Sequence, residues 1–191
     1  MTGISSRKEG NMKKKAWKIV SSDYLIKNKW LTVRKDHVRL PSGVEMDDYY
    51  VLEYPNWVSV IAITEEGKYV MELQYRHGTQ MTGYELCGGT VEEGEDFLET
   101  AKRELLEETG YSGGKWELLT VSAPNPAAMT NLCYTYVAQG VKKTREQELE
   151  KTEDIDVLEL TEQQVFEILR SGQIYQGDML APLWQWFYSR K

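Results

Sequence analysis

The sequence predicts an α+β fold, with a small antiparallel β unit at the N-terminus and a larger domain of mixed strands and helices after it. Three observations carry this. Residues 17–53 hold short runs in which apolar and polar side chains alternate, broken by turn residues. Trp57-Val58-Ser59-Val60-Ile61-Ala62-Ile63 is a near-continuous apolar run, suited to a central strand buried on both faces. Asp96 to Gly110, Thr161 to Leu169 and Met179 to Tyr188 repeat apolar residues at helical spacing. A chain of 191 residues can bury a proper core, and 41% hydrophobic with 28% charged residues is a soluble, globular composition. No apolar run is long enough to cross a bilayer and no signal-peptide pattern opens the chain, so a cytoplasmic location is expected. The two cysteines, Cys87 and Cys133, make no disulfide framework and are expected to be reduced. A net charge of −7 argues against a nucleic-acid or anionic-membrane surface.

Residues 1–15 read as a flexible tail, with Met12 a candidate natural start and residues 1–11 a candidate expression remnant. Residues 16–55 form the expected β-subdomain, in which Trp17-Val20, Leu31-Arg34, His37-Leu40 and Tyr49-Leu52 are strand-like and Pro41-Ser42-Gly43 is a turn. Trp30 stands just before one strand, where an aromatic is ordinarily core or interface filler. Residues 56–191 form the second expected domain. There the Glu65-Glu66-Gly67-Lys68 turn returns the central strand to Tyr69-Val70-Met71-Glu72-Leu73.

Asp96 with Glu99 three residues on gives a capping-box-like helix start, and Gly110 is the natural left-handed residue at its end. Leu98, Ala101 and Leu105 make the apolar face. On another face stand Glu104, Glu107 and Glu108, at the negative end of the helix dipole and at spacings where like charges repel. Such a run is a solvated face held by Glu99–Arg103 and Arg103–Glu107 pairs, or a carboxylate cluster for a hard divalent cation. Gly88-Gly89 and Gly94, which let backbone approach a ligand, favour the cation, and Arg103 can brace a carboxylate.

Gly89, Glu95, Arg103, Glu104, Leu105, Glu107, Glu108, Gly110 and Tyr111 match the pattern Gly, five residues, Glu, seven residues, Arg-Glu-apolar-x-Glu-Glu-x-Gly-apolar at every defined position. This stretch resembles the Nudix box of the Nudix hydrolases, and the rest of the chain resembles their ADP-ribose pyrophosphatase-like subfamily. The resemblance implies an α/β/α sandwich around a mixed β-sheet, preceded by an N-terminal subdomain that commonly swaps across a homodimer and offers an aromatic, here Trp30, to the base. It implies Glu104, Glu108 and the Gly88 carbonyl as ligands for Mg²⁺ or Mn²⁺, Glu107 as a further ligand or the residue that positions the attacking water, and Arg103 orienting the carboxylates. Arg76 would meet phosphate or a terminal ribose, and Glu85 ribose hydroxyls or the site's support. Pro126 stands where ADP-ribose-specific members carry a proline, although Ala127-Ala128 follow it. Glu153 matches a glutamate from a mobile loop that contacts metal or the attacking water. An acid often stands two positions before it. Lys151 occupies that place here, leaving Glu150 or Glu148 as substitutes. With only His37 and His77, a histidine metal site or histidine-based triad is improbable.

The implied chemistry is hydrolysis of the diphosphate bond of a small nucleoside diphosphate substrate, ADP-ribose first and GDP-mannose or another nucleotide sugar next. A non-catalytic, nucleotide-binding or regulatory Nudix protein is the alternative of another class. Nucleic acid and membrane are not expected partners.

Overall fold

The computed structural model describes residues 15–29 and 31–190. Of the expected tail only Lys15 falls within them. The chain divides into two compact units, one running to Tyr54 and including Asn125–Thr130, the other made of Pro55–Pro124 and Asn131–Lys191.

In the first unit β1 (Lys18–Lys27), β2 (Thr32–Arg39) and β3 (Glu45–Glu53) form an antiparallel sheet in that order. The runs around Leu31 and His37 belong to one strand, because β1 pairs along all of β2 and two register shifts in the ladder absorb the irregular alternation. Residues 125–130 attach to β3, with Leu52 N–H donating to the Ala128 carbonyl at 2.7 Å and Thr130 N–H to the Leu52 carbonyl at 3.1 Å. Asp36, only 2% exposed, accepts from Ser22 Oγ at 2.6 Å and from Arg34 at 2.8 and 3.0 Å. β1 is exposed along its whole length, including Ile19, Val20, Tyr24, Leu25 and Ile26.

The second unit is built on a mixed sheet of β4 (Trp57–Thr64), β5 (Tyr69–Arg76), β6 (Met81–Glu85), β7 (Tyr111–Ser122), β8 (Cys133–Lys143) and β9 (Ile155–Leu160). Its order is β6-β5-β4-β8-β7, with β9 on β5, and only β4–β8 is parallel. β4 reads as continuously apolar because both its faces are covered. Val58, Val60 and Ala62 face α1 (Phe97–Glu104) together with Ala101 and Leu105. Ile61 faces the other side, with Val165 and Leu169 of α2 (Glu162–Ser171) and Leu183, Trp186 and Phe187 of α3 (Gly177–Ser189). The result is the expected α/β/α sandwich. Of the aromatic residues of α3, Trp186 and Phe187 are core, with Trp186 Nε1 donating to the Tyr69 hydroxyl at 2.9 Å, whereas Trp184 is 41% exposed. Thr161 caps α2 in a full capping box with Gln164.

Two segments differ from expectation. The sequence predicts a strand over 132–138 and a charged, flexible loop over 141–152, but β8 runs on to Lys143, since β7 pairs with it through Tyr111. The loop after it, expected to be flexible, is tied to the end of the first helix. Among the described residues no helix is long and apolar enough to cross a membrane.

Candidate active site

The site grows from the end of α1. Asp96 caps the helix, accepting from Leu98 N–H at 2.9 Å and Glu99 N–H at 3.2 Å, so the expected start is present. The helix then widens into a π turn over Leu105–Thr109 and stops at Gly110, whose φ of 77° is the left-handed conformation a glycine adopts freely. This extra residue in the turn was not legible in the sequence. Thr109 Oγ1 bonds back to the Leu105 carbonyl. The freed carbonyls of the π turn are satisfied from the loop after β8: Gln147 Nε2 donates to Glu108 O at 2.7 Å and Glu148 N–H to Glu107 O at 2.8 Å.

Opposite the turn lies the loop Cys87–Gly89. Gly88 N–H donates to Glu108 Oε2 at 2.9 Å. Glu104 packs on Gly89, where a Cβ would stand 2.4 Å from Glu104 Oε1, so only glycine leaves room for that carboxylate. Arg103 is the shared cation: it binds Glu95 at 3.1 and 3.3 Å, Glu107 at 2.9 Å and Glu104 at 3.0 Å. Of the two expected helix pairs, Arg103–Glu107 forms, whereas Glu99 pairs with Lys102.

One guanidinium does not balance these acids. Burial pushes the Glu104 carboxyl up to about 6 despite Arg103. Burial likewise pushes Glu108 up to about 7, against the Gly88 N–H, which favours its charged form. The nearby charge of Glu153 adds to both. Glu153 is half-buried and accepts from Glu150 N–H at 2.8 Å. Glu148 points its carboxylate at Arg145 instead, at 2.8 Å. Buried and partly buried carboxylates sharing too little positive charge fit a divalent cation, which would reverse the penalty.

Beside the loop, a cleft of about 280 Å³ is lined by Trp57, Arg76, Gly88, Gly89, Gln176 and Asp178, among others. Arg76 is held in a fork by Glu85, with Nε at 3.0 and 3.1 Å and Nη2 at 2.6 Å. The ion pair leaves the guanidinium partly exposed where it lines the cleft, so pairing with Glu85 and contact with a ligand are compatible. Pro126 is an exposed residue of the Asn125–Thr130 segment, in the other unit. Trp30 lies outside the described residues.

Sequence reasoning missed Asp178 and Glu72. Asp178 opens α3, and burial raises its pKa. Glu72 sits on β5, 2% exposed. The only signal for it was a lone acid within the strand run Tyr69–Leu73.

Residues 54–177 match the family described as NUDIX domain, and residues 17–52 match the nucleoside diphosphate sugar hydrolase N-terminal domain. A methanol dehydrogenase activator of Bacillus methanolicus is 34% identical over 84% of this chain and 86% of its own length. An ADP-ribose pyrophosphatase of Bacillus subtilis (strain 168) is 29% identical, covering 87% of this chain and 90% of that protein. A GDP-mannose pyrophosphatase of Enterobacter sp. (strain 638) is 27% identical over the same shares. Among solved structures, one described as ADP compounds hydrolase superposes with a TM-score of 0.79 over 91% of this chain and 95% of that one, at 18% identity, a likeness of fold.

Proposed function

The chain belongs to the NUDIX domain family, and on that premise we propose that it hydrolyses the diphosphate bond of a nucleoside diphosphate linked to another moiety, with ADP-ribose going to AMP and ribose 5-phosphate. The observation that carries the reading is the meeting of Glu104 and Glu108 over the Cys87–Gly89 loop with Arg103 as their shared brace. Members of the family generally use a divalent metal, and in this chain Glu104, Glu107, Glu108 and the Gly88 carbonyl would hold Mg²⁺ or Mn²⁺. The ion, when bound, neutralises the diphosphate and lowers the pKa of water. Arg103 fixes the directions of Glu95, Glu104 and Glu107, so the carboxylates need little reorganisation as charge develops. Glu153 takes a proton from the attacking water, being the acid on the loop that reaches Glu104 and Glu108.

The cleft has room for one half of the substrate, a sugar phosphate rather than a whole nucleotide sugar. Arg76, held by Glu85, would contact phosphate there, and Asp178 would accept from sugar hydroxyls. GDP-mannose and other nucleotide sugars are the next substrates, because the loop after Pro126 departs from the ADP-ribose pattern. Trp30 and Pro126 remain candidates for contact with the base. The exposed apolar residues of β1 support a homodimer formed through the N-terminal sheet. The protein would work in the cytoplasm.

A regulatory role without turnover is the second reading, favoured by the likeness to the Bacillus methanolicus activator. The intact Glu104, Glu107 and Glu108 count against it, since a binder need not keep them. Incubation with Mg²⁺ or Mn²⁺ and a panel of nucleoside diphosphate sugars and dinucleotides, with products identified, separates the two. AMP and ribose 5-phosphate from ADP-ribose are the expected products. Release from no member of the panel would leave the regulatory reading.

A further inference from the structure

Glu108 also belongs to a second constellation, whose other members, Glu72 and Cys87, the proposed hydrolysis does not use. One ligand atom each from Glu72, Cys87 and Glu108 lie within 4.8 Å of one another, and all three residues are buried. Glu72 Oε1 has no hydrogen-bond partner, in a fully closed part of the core. Burial and the charge of Glu108 push the Glu72 carboxyl well above its ordinary value, so the oxygen is met either by a proton or by a cation that replaces it. Cys87 is fixed by the bonding of its carbonyl to Val60 N–H at 2.9 Å, and Glu108 by Gly88 N–H at 2.9 Å. The donors therefore arrive from β5, the loop before the helix, and the π turn.

We propose that Glu72, Cys87 and Glu108 form an interior site for a thiophilic divalent cation of the zinc class. Donors held about 2.0–2.3 Å from one ion lie at most about 4.5 Å apart, so small side-chain rotations close the set. Two carboxylates and a thiolate suit zinc or cobalt, whereas magnesium avoids sulfur. The hydrogen bond from Gly88 to Glu108 supplies the outer support such ligands ordinarily have. Cys87 packs among Val60, Val70, Ala101 and Leu105, and the fourth position that zinc requires would be filled by a water beside Glu108, the most exposed of the three donors at 7%. The site shares Glu108 with the proposed hydrolytic centre but does not depend on turnover.

Cobalt titrated into the full-length protein tests this, because a thiolate ligand gives an intense near-ultraviolet sulfur-to-cobalt charge-transfer band that oxygen ligands do not. The expected result is a band saturating at one equivalent, lost on adding Zn²⁺, unchanged by excess Mg²⁺, and absent from Cys87→Ser and Glu72→Gln. Cys133→Ser, the control for the other thiol, should keep it. No band in the wild type, a band that survives in Cys87→Ser, or one lost in Cys133→Ser would overturn the site. If Cys87→Ser does not fold, the wild-type, Glu72→Gln and Cys133→Ser spectra still decide. No band together with Mg²⁺-dependent hydrolysis sinks the interior site alone, and a band without hydrolysis of any diphosphate sinks the hydrolytic reading alone.

Discussion

Two buried acids in this chain are treated in opposite ways. Asp36, in the N-terminal sheet, has its own guanidinium and a hydroxyl. Burial works against its ionisation, but the Arg34 and Ser22 bonds outweigh it and hold the carboxyl below its ordinary value. Glu108, at the π turn, has a backbone N–H and more acids around it, and burial wins. A carboxylate that serves the fold is supplied with a partner by the fold. One left short of positive charge, beside a loop that approaches it closely, has what the proposed metal site requires.

The largest test of that contrast is Glu108→Gln. Turnover with Mg²⁺ should fall by about 10³-fold or more, a loss of about 4 kcal/mol of transition-state stabilisation, while thermal unfolding stays cooperative. Retained turnover would break the ligand assignment. Asp36→Asn should act on the other side of the comparison: activity per folded molecule persists, but stability drops by about 3 kcal/mol, because Arg34 loses a buried partner. Urea unfolding reads this, and an unchanged midpoint would remove Asp36 from the structural class.

Metal-free protein should also lose stability as pH rises. Glu104 and Glu108 have folded pKa values above their ordinary 4.5, so their favourable contribution is complete below about 4.5 and is lost as pH passes about 6 and then about 7. The rise at Glu104 alone is worth about 2 kcal/mol in full, of which about 1 kcal/mol is lost between pH 5 and pH 8. Excess Mg²⁺ or Mn²⁺ should flatten the slope, whereas Asp36, with its lowered pKa, contributes in the opposite sense at lower pH. Denaturation midpoints across that range, with and without metal, check it. The smallest effect expected is Gly89→Ala. Its methyl would displace the Glu104 carboxylate and lower kcat about tenfold, with the N-terminal unit unaffected; an unchanged kcat would mean that Glu104 need not sit there.

Much of this was readable because it is local. Glu104, Glu107, Glu108 and Gly110 lie within one helix and its cap, and Thr161 is readable as the N-cap of its own helix, although the reciprocal bond from Gln164 is seen only in the structure. The central strand showed itself through burial on both faces. What escaped depends on distant partners. The π turn leaves no mark in spacing, since its carbonyls are met by Gln147 and Glu148 from far along the chain. Glu72 looks like an ordinary polar residue of a strand until β5 brings it beside Cys87 and Glu108. Asp178 becomes part of a cleft only once α3 packs on the sheet.

The Gln147 side chain donates at once to the Glu108 and Ile155 carbonyls, the latter at 3.1 Å. The charged stretch between Lys143 and Ile155 thereby works as a splint across the helix end and the start of β9. Anyone grafting a shorter connection there to alter selectivity should expect the glutamates themselves to drift, even with every residue of the helix kept.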